Sequence, residues 1–405
     1  MGKTGLYTLT SGLHSEVIPD ASNEVFIKEI IAAGAVFDFC GEDFSSYGSH
    51  DGDLIYVRTG GTENAFKEIY PRLEGPVRLL TSGASNSLAA SMEILSFLRQ
   101  QGREGEILHG SAAYIAERIA ALGRAARARR RLQGSRAGVI GRPSDWLISS
   151  DPDREAVRDR LGIEIVDIPM EELITEIRLG LLEESPASPL KSVRHSVSPK
   201  VTQKVFDGAL DIYAALKRLI ERYDLSAVTV RCFDLLSSVH NTGCLALALL
   251  NAEGIPAGCE GDIPTLLSMC VSNALFGVSG FMANPSRMDP ATGEMVFAHC
   301  TVPFNMLHDY VYDTHFESGI GVAVKGELPE GPVTLFKMAP GLDRFFAAEA
   351  GLVRNLSDKH LCRTQVLLRL DDRSLCRDYF LKDPIGNHHV IIPGRHAREI
   401  GDFLL

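Results

Sequence analysis

The stretch Gly258-Cys259-Glu260-Gly261-Asp262 decides the fold, because it separates a short Gly- and Pro-rich segment from an apolar helical pattern over residues 263–275. Side chains alternate along an extended segment, which predicts that Glu260 and Asp262 point to the same side. A carboxylate between a strand and a helix lies at the edge of an open α/β sheet, where ligands bind. We therefore treat both as candidate catalytic residues, although the pair would also serve as the N-cap and first-turn charge of the helix.

Imidazoles and one amide from three later segments could complete a site around these carboxylates. Asn284 ends the segment Phe281-Met282-Ala283-Asn284, His299 follows an apolar stretch, and His388 and His389 are adjacent near the C-terminus. A carboxylate with imidazoles from separate segments favours a hard-to-borderline divalent cation, Mn²⁺ before Zn²⁺. No paired thiolate pattern competes with this interpretation. A His pair near a terminus is also typical of a protein surface.

The composition describes an ordinary globular protein and argues against one class of partner. With 405 residues the chain is long enough for two or three domains. Its hydrophobic fraction of 45% and charged fraction of 23% are average for such proteins. The net charge of −11 argues against nucleic acid as a partner, since phosphate binding requires a basic face.

Cysteine usage and the absence of long apolar runs indicate the cellular compartment in which the protein is expected. The eight cysteines form no Cys-x-x-Cys pair and most lie in apolar context, which favours buried free thiols in a reducing environment. Lys3 is followed by no sustained apolar stretch, and no run approaches the length of a membrane span. We therefore expect a cytoplasmic protein without membrane contact.

The alternation of strands and helices predicts an α/β fold with two Rossmann-like parallel-sheet domains, followed by a C-terminal, mainly antiparallel β domain. The expected domains are 1–110, 111–275 (which carries the Glu260 segment) and 276–405. After residue 276 a β-type alternation replaces the helical pattern, which indicates a small antiparallel barrel or sandwich. A Ser- and Pro-rich stretch at 183–199 is predicted to be a long loop or lid.

Three further side chains are candidates for binding a substrate. Trp146, the only tryptophan, falls near a strand end, where it could stack on a sugar ring or pack in the core. Arg231 and Arg287 could bind an acidic substituent such as a carboxylate or a sulfonate, although Arg231 could simply pair with Asp234. The segment 314–317 is polar enough to reach a site, and is equally plausible as a surface turn of the β domain.

Four ordered motifs carry a resemblance to a known family. Cys259-Glu260-Gly261-Asp262, Phe281-Met282-Ala283-Asn284, Ala298-His299 and Asn387-His388-His389 resemble the L-fucose isomerase and L-arabinose isomerase family over roughly residues 225–400. The resemblance implies two α/β domains with a C-terminal β domain, and a homo-oligomer, either a trimer or a hexamer. It also implies bound Mn²⁺, or another divalent cation, and the interconversion of aldoses and ketoses through an enediol.

The same resemblance implies roles for particular residues. Glu260 matches the first catalytic carboxylate, which is also a metal ligand, and His299 matches a ligand histidine. The C-terminal ligand histidine is either His388 or His389, and His389 is preferred because its spacing to the later His396 matches. We therefore expect a metal-dependent isomerase of a monosaccharide, with a sugar as its small-molecule partner.

One departure from the family's pattern affects the chemistry. The family places a second carboxylate in the segment that here contains Ala283 and Asn284. An amide can coordinate a metal through its carbonyl but cannot act as a base near neutral pH. Either Glu260 works alone, or Asp262 or Asp289 substitutes, or the reaction differs. The alternatives to the isomerase are a catalytically silent sugar-binding relative and an epimerase or lyase that uses the same enediolate stabilisation.

Overall fold

The structure is a computed structural model, and it describes residues 3–11, 20–180 and 190–404. Part of the predicted loop or lid at 183–199, residues 183–189, lies outside the described residues. The chain divides into two compact units, Met1–Arg127 and Ala128–Leu405. The three-domain division expected from the sequence stays a prediction. No helix within the described ranges is both long and apolar enough to cross a membrane.

The first unit is built on a parallel sheet covered by helices. Its strands are β1 (Thr4–Leu9), β2 (Phe37–Gly41), β3 (Asp53–Val57), β4 (Val77–Leu80) and β5 (Gly105–Leu108), in the order β2-β1-β3-β4-β5. The helices are α1 (Asp20–Ala32), α2 (Glu63–Ile69), α3 (Ser87–Gln100) and α4 (Ala112–Leu132), of which the last runs past residue 127. Leu6 and Tyr7 belong to different hydrophobic clusters, as do Leu54 and Ile55. Both faces of the sheet are therefore buried, as parallel sheets require.

The second unit begins with another parallel sheet. Its strands are β6 (Arg136–Ile140), β7 (Glu164–Ile168), β8 (Ala227–Val230) and β9 (Ala257–Cys259), in the order β7-β6-β8-β9. The helices are α5 (Arg154–Leu161), α6 (Met170–Ile177), α7 (Gln203–Arg222), α8 (Asp234–Ser238), α9 (Cys244–Ala252) and α10 (Ile263–Phe276). Helices α9 and α10 are buried along nearly their whole length, so they form the centre of this unit.

The C-terminal part of the second unit contains a closed antiparallel barrel. In chain order the strands are β10 (Phe281–Asp289), β11 (Glu294–His299), β12 (Asp309–Asp313), β13 (Ala323–Glu327), β14 (Gly331–Met338), β15 (Phe345–Asn355), β16 (Thr364–Leu370) and β17 (His389–Pro393). The barrel order is β10-β11-β16-β15-β14-β17, while β12 and β13 pair separately, and helix α11 (Ala397–Leu404) follows the barrel. The α/β fold with a C-terminal, mainly antiparallel β domain is confirmed.

Helix α10 joins the parallel sheet to the barrel within this unit. It follows β9 directly, and the Ser268 hydroxyl accepts a hydrogen bond of 2.9 Å from the backbone N–H of Met338 in β14. Strand β17 pairs with both β10 and β14, which sets His389 opposite Ala283. The carboxyl end of β9, the end of β11 and the start of β17 consequently meet at one place.

Candidate active site

A left-handed turn after β9 positions the central carboxylate. Glu260 and Gly261 have φ angles of 63° and 70°, and Asp262 then caps α10 by accepting a 2.9 Å hydrogen bond from the backbone N–H of Thr265. A non-glycine residue at positive φ is uncommon and concentrates at functional sites. Gly261 also permits a close approach, because a Cβ atom there would lie 2.6 Å from the Arg142 carbonyl oxygen.

Glu260, His299 and His388 form a cluster that could hold a metal ion. One ligand atom from each lies within 4.8 Å of the others. The Nδ1 atom of His299 is 2.8 Å from the Thr301 hydroxyl, which leaves Nε2 for the cluster. The Nδ1 atom of His388 is 2.9 Å from Asp262 Oδ2. The backbone elements that meet at this place therefore bring a carboxylate and two imidazoles together.

The unsatisfied nitrogen of His388 shows that a divalent cation fits the cluster. Its Nε2 atom is fully buried, has no hydrogen-bond partner among the described residues and lies 3.6 Å from Glu260 Oε1. Leaving a buried polar atom unpaired is costly, and a bound ion or an ordered water would complete it. Carboxylate oxygen and imidazole nitrogen suit Mn²⁺, Zn²⁺ and similar ions. Glu260, His299 and His388 would hold such an ion.

A buried ion pair stands behind His388. Asp262 and Lys337 are both completely buried, with 3.3 Å between the lysine Nζ and either carboxylate oxygen. The lysine also donates a 2.6 Å hydrogen bond to the Thr265 hydroxyl. A carboxylate that accepts a hydrogen bond from the far nitrogen of a ligand histidine fixes its ring and tautomer. Asp262 accordingly orients His388 and faces away from the cavity.

The charges of the cluster are set by burial and by neighbours. Burial alone would raise the pKa of Glu260, but the nearby His388, His299 and Trp146 lower it to about 2. Burial lowers the pKa of His299 to about 4, and the charge of His388 adds to this effect. For His388 burial acts in the same direction, yet Asp262 and Glu260 outweigh it and the pKa is raised. At neutral pH the carboxylate is ionised and His299 is neutral, as metal binding requires, whereas a metal would have to displace the proton that the raised pKa of His388 favours.

A cavity opens beside this cluster. It encloses about 480 Å³ of space free of protein atoms, part of which is open to solvent. Glu260, Asn284 and His299 lie on its wall, together with five cysteine thiols and several residues that the sequence had left open or had not indicated. The full wall consists of Cys232, Phe233, Leu236, Thr242, Cys244, Cys259, Glu260, Asn284, His299, Cys300, His315, Glu317 and Cys362.

Of the two histidines left open by the sequence, the geometry favours His388 over the preferred His389 as the C-terminal ligand. Its Nε2 lies 2.9 Å from the Tyr379 hydroxyl and its Nδ1 lies 2.9 Å from the Asn387 carbonyl oxygen. Both ring nitrogens are therefore engaged, and the ring packs among the aromatic side chains of Phe297, Phe346 and Tyr379. The adjacent His388 is the histidine that reaches the cluster.

The other predicted residues are placed as follows. Asn284 lies on the cavity wall, where its Oδ1 accepts a 3.1 Å hydrogen bond from Asn387. The indole N–H of Trp146 donates a 2.6 Å hydrogen bond to Glu260 Oε2. Arg231 is tied to Asp145 and Asp234, at 2.7 Å and 3.1 Å.

Arg287 lies apart from these residues. Its side chain is 57% exposed and pairs with Asp358 at 2.6 Å. Neither Arg231 nor Arg287 lines the cavity.

Comparison with known proteins finds three similar isomerases, and no protein-family model matches the chain. A sulfoquinovose isomerase of Clostridium sp. (strain MSTE9) is 26% identical over 142 residues, which is 34% of this chain and 32% of that protein. Sulfoquinovose isomerases of Priestia aryabhattai and Priestia megaterium are 21% identical over 208 residues, or 50% of this chain and 47% of each relative. The chain thus matches from a third to a half of the length of these curated relatives, all of which are named as sugar isomerases.

Proposed function

We propose that this protein is a metal-dependent aldose–ketose isomerase that acts on a monosaccharide through an enediol. The observation that carries the proposal is the cluster of Glu260, His299 and His388 beside a cavity, in which one buried imidazole nitrogen has no hydrogen-bond partner in the described part of the chain. The similarity to three sulfoquinovose isomerases supports the same class of reaction.

The residues of the cluster divide the work of the reaction. Glu260, His299 and His388 would hold a divalent cation, and such an ion would supply Lewis-acid polarisation of the sugar carbonyl. Glu260 is ionised at neutral pH, because its pKa is lowered to about 2 by its neighbours, so it can take up a proton. In the forward direction it removes the proton from C2 of the open-chain aldose and returns a proton to C1. The Trp146 N–H fixes one Glu260 oxygen and leaves the other facing His388.

For the substrate we propose a hexose-sized sugar, with sulfoquinovose as the first compound to test. The reason is the name that the three similar proteins share. Arg231 and Arg287 are the cations that the sequence suggested for an acidic group, but both are already paired with carboxylates. A sulfonate would have to displace one of those pairs. Uncharged sugars therefore belong in the same screen. Assembly into a trimer or hexamer remains a prediction.

A second candidate function is supported by Asn284. An amide occupies the wall position where the resemblance expects a second carboxylate, and an amide does not transfer protons. A protein that binds sugar and metal without converting the sugar would have this composition. The two candidates differ in one observable, since an enediol enzyme exchanges a carbon-bound proton with solvent and a binding protein does not.

The test combines metal analysis with a sugar screen. Purified protein is loaded with Mn²⁺ and incubated in deuterated water with sulfoquinovose, D-glucose, L-fucose or L-arabinose. Ketose formation with deuterium at carbon supports the isomerase. Bound metal and bound sugar without either signal would favour the silent relative. Protein that retains no metal, and that gains no stability from Mn²⁺, would refute the proposed site.

A further inference from the structure

Aldose–ketose isomerisation moves protons at two kinds of atom. One proton passes between C2 and C1, and another passes between O2 and O1, so two acid–base groups are normally required. The metal cluster contributes one carboxylate, Glu260, and Asp262 is buried behind it in an ion pair with Lys337. Asn284 cannot serve as the second group. The second acid–base group would therefore be another carboxylate on the cavity wall.

Glu317 is such a carboxylate. It lines the same cavity as Glu260, Asn284 and His299, in the turn that follows β12. Its side chain is exposed, so that a proton it takes up can exchange with solvent. Glu260 and Glu317 therefore stand on the wall of one cavity, one within the metal cluster and the other outside it.

Internal hydrogen bonds stabilise the turn that carries Glu317. The backbone N–H of Gly319 donates a 2.9 Å hydrogen bond to the His315 carbonyl, and the N–H of His315 donates one of 2.9 Å to the Ile320 carbonyl. The Nδ1 atom of His315 also lies 3.0 Å from the Ser318 hydroxyl. Glu317 thus lies inside a small closed loop, so its backbone position is fixed relative to His315 on the same wall.

Arg363 anchors the turn to the rest of the unit. Its guanidinium donates a 2.6 Å hydrogen bond to the Thr314 carbonyl and lies over the Phe316 ring at 5.8 Å. It also forms an ion pair of 3.3 Å with Asp313 at the end of β12. The contacts of Arg363 with Thr314 and with the Phe316 ring hold the residue before Glu317 in place, which is the kind of support that a functional side chain on a loop needs.

We propose that Glu317 is the second acid–base residue of the isomerisation, a role that rests on the proposed function. In the reactive form Glu260 is ionised and Glu317 carries a proton taken up from solvent. As Glu260 removes the proton from C2, Glu317 delivers its proton to O1, and the C1=O1 double bond becomes the C1=C2 bond of the enediol. In the second half Glu317 takes the proton from O2 while Glu260 returns a proton to C1, which leaves C2=O2. Both carboxylates end in their starting state, and no oxidant or reductant is consumed.

The test compares Glu317→Gln with Glu330→Gln, a control that removes an exposed carboxylate outside the cavity. The probes are sulfoquinovose, D-glucose, L-fucose and L-arabinose with Mn²⁺. We expect Glu317→Gln to lower ketose formation by about 10²-fold or more, the usual contribution of one acid–base group. Deuterium exchange at C2 of the recovered aldose should fall less, because Glu260 is intact. Mn²⁺ affinity should match that of the wild type, since Glu317 is not in the metal cluster.

The outcomes separate this inference from the function on which it rests. If wild type and Glu330→Gln form ketose and Glu317→Gln does so equally fast, Glu317 has no such role although the isomerase stands. Equal losses of exchange, turnover and metal binding in Glu317→Gln would mean structural damage and would also overturn the role. If the wild type neither converts nor exchanges any of the four sugars, the isomerase itself fails, and the inference fails with it.

Discussion

The buried pair of Asp262 and Lys337 gives the sharpest prediction, because substitution of each residue should affect metal affinity differently. Asp262 holds Nδ1 of His388, whereas the Lys337 ammonium bonds to Asp262 and Thr265. We compare Asp262→Asn, Lys337→Met and the double variant. If Asp262 orients the ligand histidine, loss of its charge should weaken the metal site, whereas loss of the lysine should leave that site intact.

The energy of the pair follows from its geometry. At 3.3 Å, and with an effective dielectric constant of about 20, the Coulomb attraction between the two charges is about 5 kcal/mol. Removing one partner of a buried pair leaves an uncompensated charge and typically costs about 3–5 kcal/mol of the free energy of unfolding. Each single variant should show a loss of this size. The double variant should lose less than the sum, because neither charge remains.

Two assays measure these effects. Urea unfolding of the metal-free protein can be followed by the fluorescence of Trp146, the only tryptophan, which lies beside Glu260. Mn²⁺ titration gives the affinity, which should fall by about 10–100-fold in Asp262→Asn and in the double variant. Lys337→Met serves as the matched control, with reduced stability but undiminished Mn²⁺ affinity. Wild-type Mn²⁺ affinity in Asp262→Asn, or an equal loss in Lys337→Met, would refute the reasoning.

Three further predictions address the turn, the pH dependence and the metal. Gly261→Ala should lower the free energy of unfolding by more than the ~1–2 kcal/mol of a left-handed alanine, because its Cβ would lie 2.6 Å from the Arg142 carbonyl oxygen. Gly277→Ala is the control, since Gly277 has a φ of 74° and a Cβ there would meet no heavy atom of a non-adjacent residue within 4 Å among the described residues. In urea unfolding it should show the conformational cost alone. Burial lowers the pKa of His389 to about 3, below the unfolded value of about 6.5, so the stability it contributes is present above the unfolded value and is lost as pH falls. In the metal-free protein, His389→Gln should therefore flatten the fall in the free energy of unfolding between these two pH values. An unchanged slope would count against a neutral buried imidazole. Mn²⁺ at about 100 times its Kd should raise the free energy of unfolding by about 2.7 kcal/mol, an effect that Glu260→Gln should remove and EDTA should reverse.

Local patterns were sufficient to predict some elements of the fold. The helical pattern predicted over residues 263–275 matches α10 (Ile263–Phe276) to within one residue, because its apolar run follows a capping carboxylate. The β-type alternation predicted after residue 276 corresponds to the strands of the C-terminal barrel. The choice between a barrel and a sandwich stayed open. Closure depends on β17 pairing with both β10 and β14, and no local pattern contains that pairing.

Some features of the candidate site could not be predicted from sequence patterns. Glu260 and Asp262 were expected on one side because alternation was assumed, but the left-handed backbone at Glu260 and Gly261 breaks the alternation and turns Asp262 inward. The helix-cap alternative for Asp262 describes what the structure contains. His388 and His389 are adjacent at the start of β17, so the motif could be aligned with either histidine as the ligand. The surroundings of the two rings distinguish them, since His389 packs in an aromatic cluster and His388 lies beside Glu260 and His299.

The most direct test of the account is Mn²⁺-dependent incorporation of solvent deuterium into the sugar by wild type and Glu260→Gln. Mass spectrometry and proton NMR of the recovered aldose and ketose report the label at C2 and C1. The account predicts label and ketose with the wild type plus Mn²⁺, neither after EDTA, and neither with Glu260→Gln, although that variant remains folded by circular dichroism. Label and ketose at the wild-type rate in Glu260→Gln, or in the wild type after complete metal removal, would contradict it.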